Sequence, residues 1–166
     1  IENGASIIND ISGGALDPLM PEIVAKAGVP YVLTHLQGTP QTMQKNPVYD
    51  HVVKDILLFF AEKIKKLKEA GVHDIIIDPG FGFGKTLEHN YEILKNLEDF
   101  KILELPILVG FSRKSMVTKV IGTKPENALN GTTILNTIAL MKGAKILRVH
   151  DVKEAREAVK IVKQFK

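Results

Sequence analysis

Cysteine and tryptophan are absent from this chain of 166 residues. The first absence excludes disulfides and thiolate zinc sites and fits a reducing compartment. No apolar run approaches the roughly 20 residues of a membrane-spanning helix, and no secretory leader is visible, so the expectation is a cytoplasmic protein with no membrane partner. Arginine is scarce, with three residues against 19 lysines spread along the chain, and aromatic residues make up only 6%. Nucleic-acid binding draws on arginine clusters and aromatic platforms, so no nucleic-acid partner is expected. The net charge of +3 instead reads as solvated helix faces. What is present, 45% hydrophobic and 25% charged residues, is ordinary for a soluble globular domain. No linker, repeat or low-complexity stretch divides it, so 1–166 is taken as one domain. The opening Ile-Glu-Asn has no methionine and leads directly into strand-like sequence, from which we expect a piece excised from a longer protein.

Short β-rich runs alternate with longer amphipathic ones. Strands are expected at 6–11, 30–35, 74–78, 106–111 and 145–149, and helices at 18–27, 48–70, 87–97, 126–142 and 153–164. In the second helix Val52, Ile56, Phe59, Phe60, Ile64 and Leu67 recur at helical spacing before Gly71. Thr86 is placed to cap the third, and Thr123-x-x-Glu126 and Asp151-x-x-Glu154 resemble capping boxes, the first with Pro125 in its opening turn. Alternation of β and α with near-continuous apolar strands predicts a parallel sheet covered by helices.

The strand ends carry the chemistry. They finish in Asn9-Asp10, His35, Asp78, Ser112-Arg113-Lys114 and Arg148-Val149-His150. A (β/α)8 barrel assembles its site from such ends, whereas a doubly wound sheet gathers ligand groups near one switch point. The expected fold class is therefore α/β of the (β/α)8 TIM-barrel type. It is expected to be incomplete, because about five parallel strands are visible where a full barrel has eight and about 250 residues.

The glycine-rich stretch Asp78-Pro-Gly-Phe-Gly-Phe-Gly-Lys-Thr86 is not a Walker loop, since Pro79 stands where the first glycine of that motif belongs. Its strictly alternating glycines fail the dinucleotide pattern as well. Asp78 either caps its own loop or serves as a ligand acid, and Asn9 either ties down its turn or does the same as an amide. Together they could hydrogen-bond the N–H and C=O edge of a flat heterocycle, with Phe83 and Phe111 flanking the ring or simply joining the core. Arg148 and His150 lie two apart on a strand and so face the same side, where both can donate to an anion. Ser112-Arg113-Lys114-Ser115 offers hydroxyls, cations and the start of a helix, suited to phosphate or carboxylate unless the cations are merely solvated. Lys85 reads as a surface lysine. His35, His51, His73 and His89 match no metal-ligand spacing, so no protein-ligated metal is expected.

The segments IINDISGG, THLQGTPQTMQ, IIIDPGFGFGKTLEHN, VGFSRKS and RVHDV, in this order and spacing, resemble the last five strands of the dihydropteroate synthase family over essentially the whole chain. The resemblance implies a TIM barrel that joins 6-hydroxymethyl-7,8-dihydropterin pyrophosphate to para-aminobenzoate and releases pyrophosphate, a transferase step of folate biosynthesis in which sulfonamides compete with the second substrate. Position by position it implies a pterin site of Asn9, Ile11, Asp78, Phe83, Gly110 and Lys114. It further implies a para-aminobenzoate site at Phe83, Ser112 and Lys114, and a pyrophosphate site at Arg148 and His150, with Lys114, Arg148 and His150 as the catalytic set. Leu36 stands where many members carry methionine, a change that conserves volume.

By the same resemblance a magnesium ion accompanies the pyrophosphate, its protein ligand lying in the first three strands that this sequence lacks, and homodimers form through helices late in the chain. Absence of those strands and their mobile loops leads us to expect an inactive fragment. The related barrel of methyltetrahydrofolate–corrinoid methyltransferases would share Asn9 and Asp78 but binds no pyrophosphate, which Arg148 and His150 suit. A non-catalytic interaction fragment is the remaining alternative.

Overall fold

The computed structural model describes residues 1–39, 41–43 and 47–165; positions 40 and 44 of the THLQGTPQTMQ segment lie outside them. Strands and helices alternate: β1 (Ile8–Asp10), α1 (Met20–Ala27), β2 (Tyr31–Thr34), α2 (Val52–Glu69), β3 (Ile75–Asp78), α3 (Leu87–Lys95), β4 (Leu108–Val109), α4 (Ser115–Ile121), α5 (Leu129–Met141), β5 (Ile146–Leu147) and α6 (Val152–Val162). β1, β2 and β3 pair in parallel and in chain order, β4 pairs in parallel with β5, and an Ile77–Ile107 bridge joins the two groups. The strands thus follow one another without the reversal of order that defines a doubly wound sheet.

Period-two alternation sorts the strands into two faces. Tyr31, Leu33, Ile75, Ile77, Ile107 and Val109 belong to the main core, packed with Val52, Ile56, Phe60 and Ile64 of α2 and Ile93 of α3. Each such side chain contributes about 1.5–3 kcal/mol when fully buried. On the other face Val32, Ile76 and Leu108 form a smaller apolar row with Ile146 against it. One step of two residues beyond that row, the register delivers Thr34, Asp78, Gly110 and Arg148, with Asn9 beside Val32 on the same face. Along the free side of β5 runs a groove of 690 Å³ lined by Ile146, Leu147, Val149 and Val152 among others.

Phe59 of α2 packs half-buried against the main core, as its spacing implies, and turns its ring edge-on to His35, with centroids 4.8 Å apart. Two capping expectations are corrected. Thr123 does not cap a helix: Pro125–Asn127 forms a separate 3-10 turn, and α5 starts at Leu129 with no side-chain cap. Asp151 stands at the start of α6 but gives its carboxylate to Arg113 (2.7 Å), so its capping box does not form. Thr86 caps α3 as expected and gains a partner, accepting from the His89 N–H (3.1 Å) while donating its own N–H to His89 Nδ1 (3.3 Å). α4 follows Lys114 as a helix of its own, of which the sequence had offered only a start.

Gly80 is the tightest point of the turn after β3. Its φ is +72°, and a Cβ there would collide with the His35 backbone carbonyl, whereas at Gly28, φ +63°, a Cβ would meet nothing within 4 Å. Gly28→Ala should therefore cost about 1 kcal/mol of backbone strain. Gly80→Ala should cost about 1–3 kcal/mol more because backbone must move, and denaturant unfolding of the two variants checks the difference.

Candidate active site at the strand ends

Asp78 lies at the centre of the polar face, its side chain only 1% exposed. One oxygen accepts the Gly80 N–H (2.8 Å), and the other accepts Nη2 of Arg148 (2.7 Å), which itself comes from beyond β5. Nη1 of Arg148 donates to Asn9 Oδ1 (2.9 Å), so one guanidinium bridges an acid on β3 and an amide on β1. Gly110 makes room for it: a Cβ at that position would stand 3.3 Å from Arg148 Nη2. The N–H of Arg148 donates to Val109 C=O (2.8 Å), so the β4–β5 pairing fixes the base of the side chain.

Lys114, last residue before α4, reaches over the glycine turn. Its Nζ donates to the Phe81 carbonyl (2.6 Å) and lies 4.7 Å from the centroid of the Phe83 ring, a cation–π arrangement. Burial pulls its pKa down to about 8, with Asp78 opposing the shift and Arg148 adding to it. Ser112 is buried and holds His150, accepting from its N–H (3.2 Å) and lying 2.9 Å from its Nδ1. Gly110, Ser112, Lys114, Arg148, Val149 and His150 enclose a cavity of 160 Å³. The structure thus brings Asn9, Asp78, Gly110, Ser112, Lys114, Arg148 and His150 together at one end of the sheet, with half-buried Phe83 beside them; half-buried Ile11 lies in the turn after β1.

Of the two readings of Phe111 the core one holds: it is fully buried against Phe81 with centroids 4.5 Å apart. Two residues depart from expectation. Arg113 turns away to pair with Asp151 (2.7 Å). Lys85 is no surface lysine: at 4% exposure it lies under the turn, 2.9 Å from His35 Nδ1. Sequence reasoning also passed over Thr34, whose buried hydroxyl finds no partner among the described residues and stands next to Asp78 in the β2–β3 register.

These features define a class: a parallel α/β protein whose strand ends gather a buried acid, an amide and several cations on one face. A family profile described as pterin binding enzyme matches residues 1–150, and the chain belongs to that family. It is 45% identical to the dihydropteroate synthase of Escherichia coli K12 over 161 residues, which are 96% of this chain and 57% of that protein. Among solved structures it is similar to Yersinia pestis dihydropteroate synthase in a sulfonamide drug complex, with a TM-score of 0.95 and 44% identity over 99% of this chain and 60% of the other. It is similar also to the Thermus thermophilus enzyme in complex with 6HMPPP, with a TM-score of 0.93 and 36% identity over 98% and 65%. The chain spans 57% of the Escherichia coli protein and 58% of the dihydropteroate synthase of Haemophilus influenzae, little more than half of either.

Burial first, then the Lys85 charge, pushes the His35 pKa from 6.5 down to about 3. Between those values the unfolded chain takes up a proton that the folded chain refuses, so the stability that neutral His35 contributes is full above pH 6.5 and falls as pH falls. At pH 5 the loss should reach about 2 kcal/mol. Denaturant midpoints measured from pH 7 to pH 5 should show this slope, and His35→Gln should flatten it.

Proposed function

We propose that the chain is the carboxyl-terminal part of a dihydropteroate synthase barrel, holding the pterin site and half of the diphosphate site. The observation that carries the proposal is the Arg148 fork, in which two acceptors, Asn9 Oδ1 and Asp78 Oδ2, are spaced so that one planar pair of N–H donors bridges them. The 2-amino group and adjacent ring N–H of a pterin are a planar donor pair of the same kind, so the guanidinium occupies the place of the ring edge. When the ring takes those acceptors, Arg148 is released toward the diphosphate that the ring carries. Phe83, with Lys114 over it, supplies an apolar face beside the pterin, and Lys114 also borders the place of para-aminobenzoate near Ser112.

The chemistry needs no nucleophile from the protein. The bond from the pterin methylene carbon to the diphosphate oxygen breaks, the diphosphate leaves with the electron pair, and the arylamine nitrogen forms the new C–N bond and loses a proton. Arg148 and His150 meet the charge that develops on the leaving group, which is where electrostatic stabilisation acts. No group of three His, Cys, Asp or Glu suited to a metal occurs among the described residues. The magnesium that would accompany the diphosphate is expected, by the family resemblance, to find its protein ligand in the upstream strands, and no step here is routed through it. The corrinoid methyltransferase reading leaves the Ser112–His150 pair and the cation of Arg148 without an anion to serve.

Both outer strand edges and the apolar groove beside β5 suit the three further strands of a closed barrel. Placement of the arylamine, which supplies several kcal/mol of orientation, depends on those strands and their loops. The 166 residues alone should therefore form no dihydropteroate at steady state while keeping weak affinity for the pterin. A turnover rate near that of the E. coli relative would overturn this division of labour.

Arg148→Ala separates the two roles of the guanidinium. Affinity for the pterin diphosphate should drop by roughly 1.5–3 kcal/mol, the scale of one charge-assisted contact. Affinity for the bare pterin should hold or rise, since the internal competitor is gone. Calorimetry with both ligands decides, and equal losses would mean that Arg148 serves the fold alone.

A further inference from the structure

Lys85 is a buried cation that the reaction outlined above does not use. Its Nζ donates to the Phe83 carbonyl (2.9 Å) and to the His35 carbonyl (3.4 Å), and lies 2.9 Å from His35 Nδ1. Three acceptors around one ammonium match its three N–H donors. Two of the acceptors belong to the segment after β2 and one to the glycine turn after β3, so a single side chain ties two loops together. The His35 N–H donates to the Asp78 carbonyl (2.9 Å) from the strand side of the same junction, and the Tyr49 hydroxyl donates to the Gly84 carbonyl (2.7 Å) from the other. His35 itself is fixed from a third direction by the ring of Phe59. A lysine carried under a turn at 4% exposure is costly, because burial disfavours its charged form, and burial lowers its pKa to about 7 despite the opposing pull of Asp78. A side chain kept there against that cost has a positional task.

We infer that Lys85 is a positioning residue for the pterin site: its buried amine clamps the glycine turn to the end of β2 and so holds Phe83, and the Gly80 N–H that orients Asp78, at the ring edge. The inference rests on the pterin reading above. Lys85 bonds the carbonyl of Phe83, and the carbonyl of its His35 partner lies so close to Gly80, whose N–H holds Asp78, that a Cβ there would collide with it.

The absence of cysteine allows a volume-matched test. Lys85→Cys is alkylated in denaturant with 2-bromoethylamine or with 1-bromopropane and then refolded. The first product restores an amine at lysine length, and the second places a methyl group there at nearly the same volume. Lys85→Met, expressed directly, is a second apolar replacement that avoids refolding. Two quantities are read at pH 6.5: amide hydrogen exchange across 80–85, and affinity for 6-hydroxymethylpterin followed by its fluorescence. The aminoethyl product should match the unaltered chain within threefold in both. The propyl product and Lys85→Met should exchange these amides at least tenfold faster and bind the pterin at least tenfold more weakly, while exchange in α2 stays unchanged. Equal exchange and equal affinity for the aminoethyl and propyl products would overturn the inference, since packing alone would then suffice. An unaltered chain with no pterin affinity would overturn the pterin reading instead, and the exchange rates across 80–85 would still decide whether Lys85 is the clamp.

Discussion

The carboxylate of Asp78 is the group around which the rest of the site is arranged. It is a charge removed from water, and an ion so placed costs several kcal/mol unless charge and hydrogen bonds compensate it. The Gly80 N–H and the Arg148 guanidinium supply direct contacts, and the charges of Lys85 and Lys114 act on it from either side. Each partner then imposes its own requirement. Donation from Gly80 needs a left-handed turn hard against the His35 carbonyl, which a side chain would block. Arg148 needs the empty space that Gly110 leaves. Lys85 needs acceptors in place of water and finds them in His35 and Phe83. Glycines that look like loop filler are thus consequences of one buried acid.

The sheet makes this arrangement possible through its period. Val32, Ile76 and Leu108, with Ile146 against them, form an apolar floor, and two residues later the same strands present Thr34, Asp78, Gly110 and Arg148. Because neighbouring strands are parallel and in register, one step along the chain direction changes the whole layer from apolar to polar. A slip of one residue in β3 would send Asp78 to the helix-covered face and Ile77 to the site. The continuous burial of β3, with all four of its residues buried, makes such a slip prohibitively costly.

Local pattern explains what was legible in the sequence. Strand ends are marked by the change from apolar run to polar residue, so Asn9, Asp78, Lys114, Arg148 and His150 could be picked out without coordinates. Phe111 was also decidable, since it shares parity with Ile107 and Val109 on the helix-covered face. α4 was harder because its sequence Ser-Met-Val-Thr-Lys-Val-Ile is rich in β-branched residues, which favour strands. The pairing of Arg113 with Asp151 spans 38 residues and could not be read from either neighbourhood, so Asp151 looked like a helix cap. Lys85 carried no signal at all. Among 19 lysines nothing local distinguishes the one whose burial depends on acceptors 50 residues away.

On the proposed reading, the Arg148 fork gives the site a way to link recognition of the ring to capture of the leaving group. The guanidinium satisfies both Asp78 and Asn9, and neither acceptor is left bare. A pterin can displace it only by offering equivalent donors, so the exchange at the acid and amide is close to balanced. What tips the exchange is the fate of the displaced cation. With a diphosphate on the ligand, Arg148 moves from one anion to another and keeps a charge-assisted contact, whereas with a bare pterin it returns to water beside Lys114 and loses one. Discrimination in favour of the activated pterin therefore comes from the arginine's second partner, and the ring contacts contribute little to it.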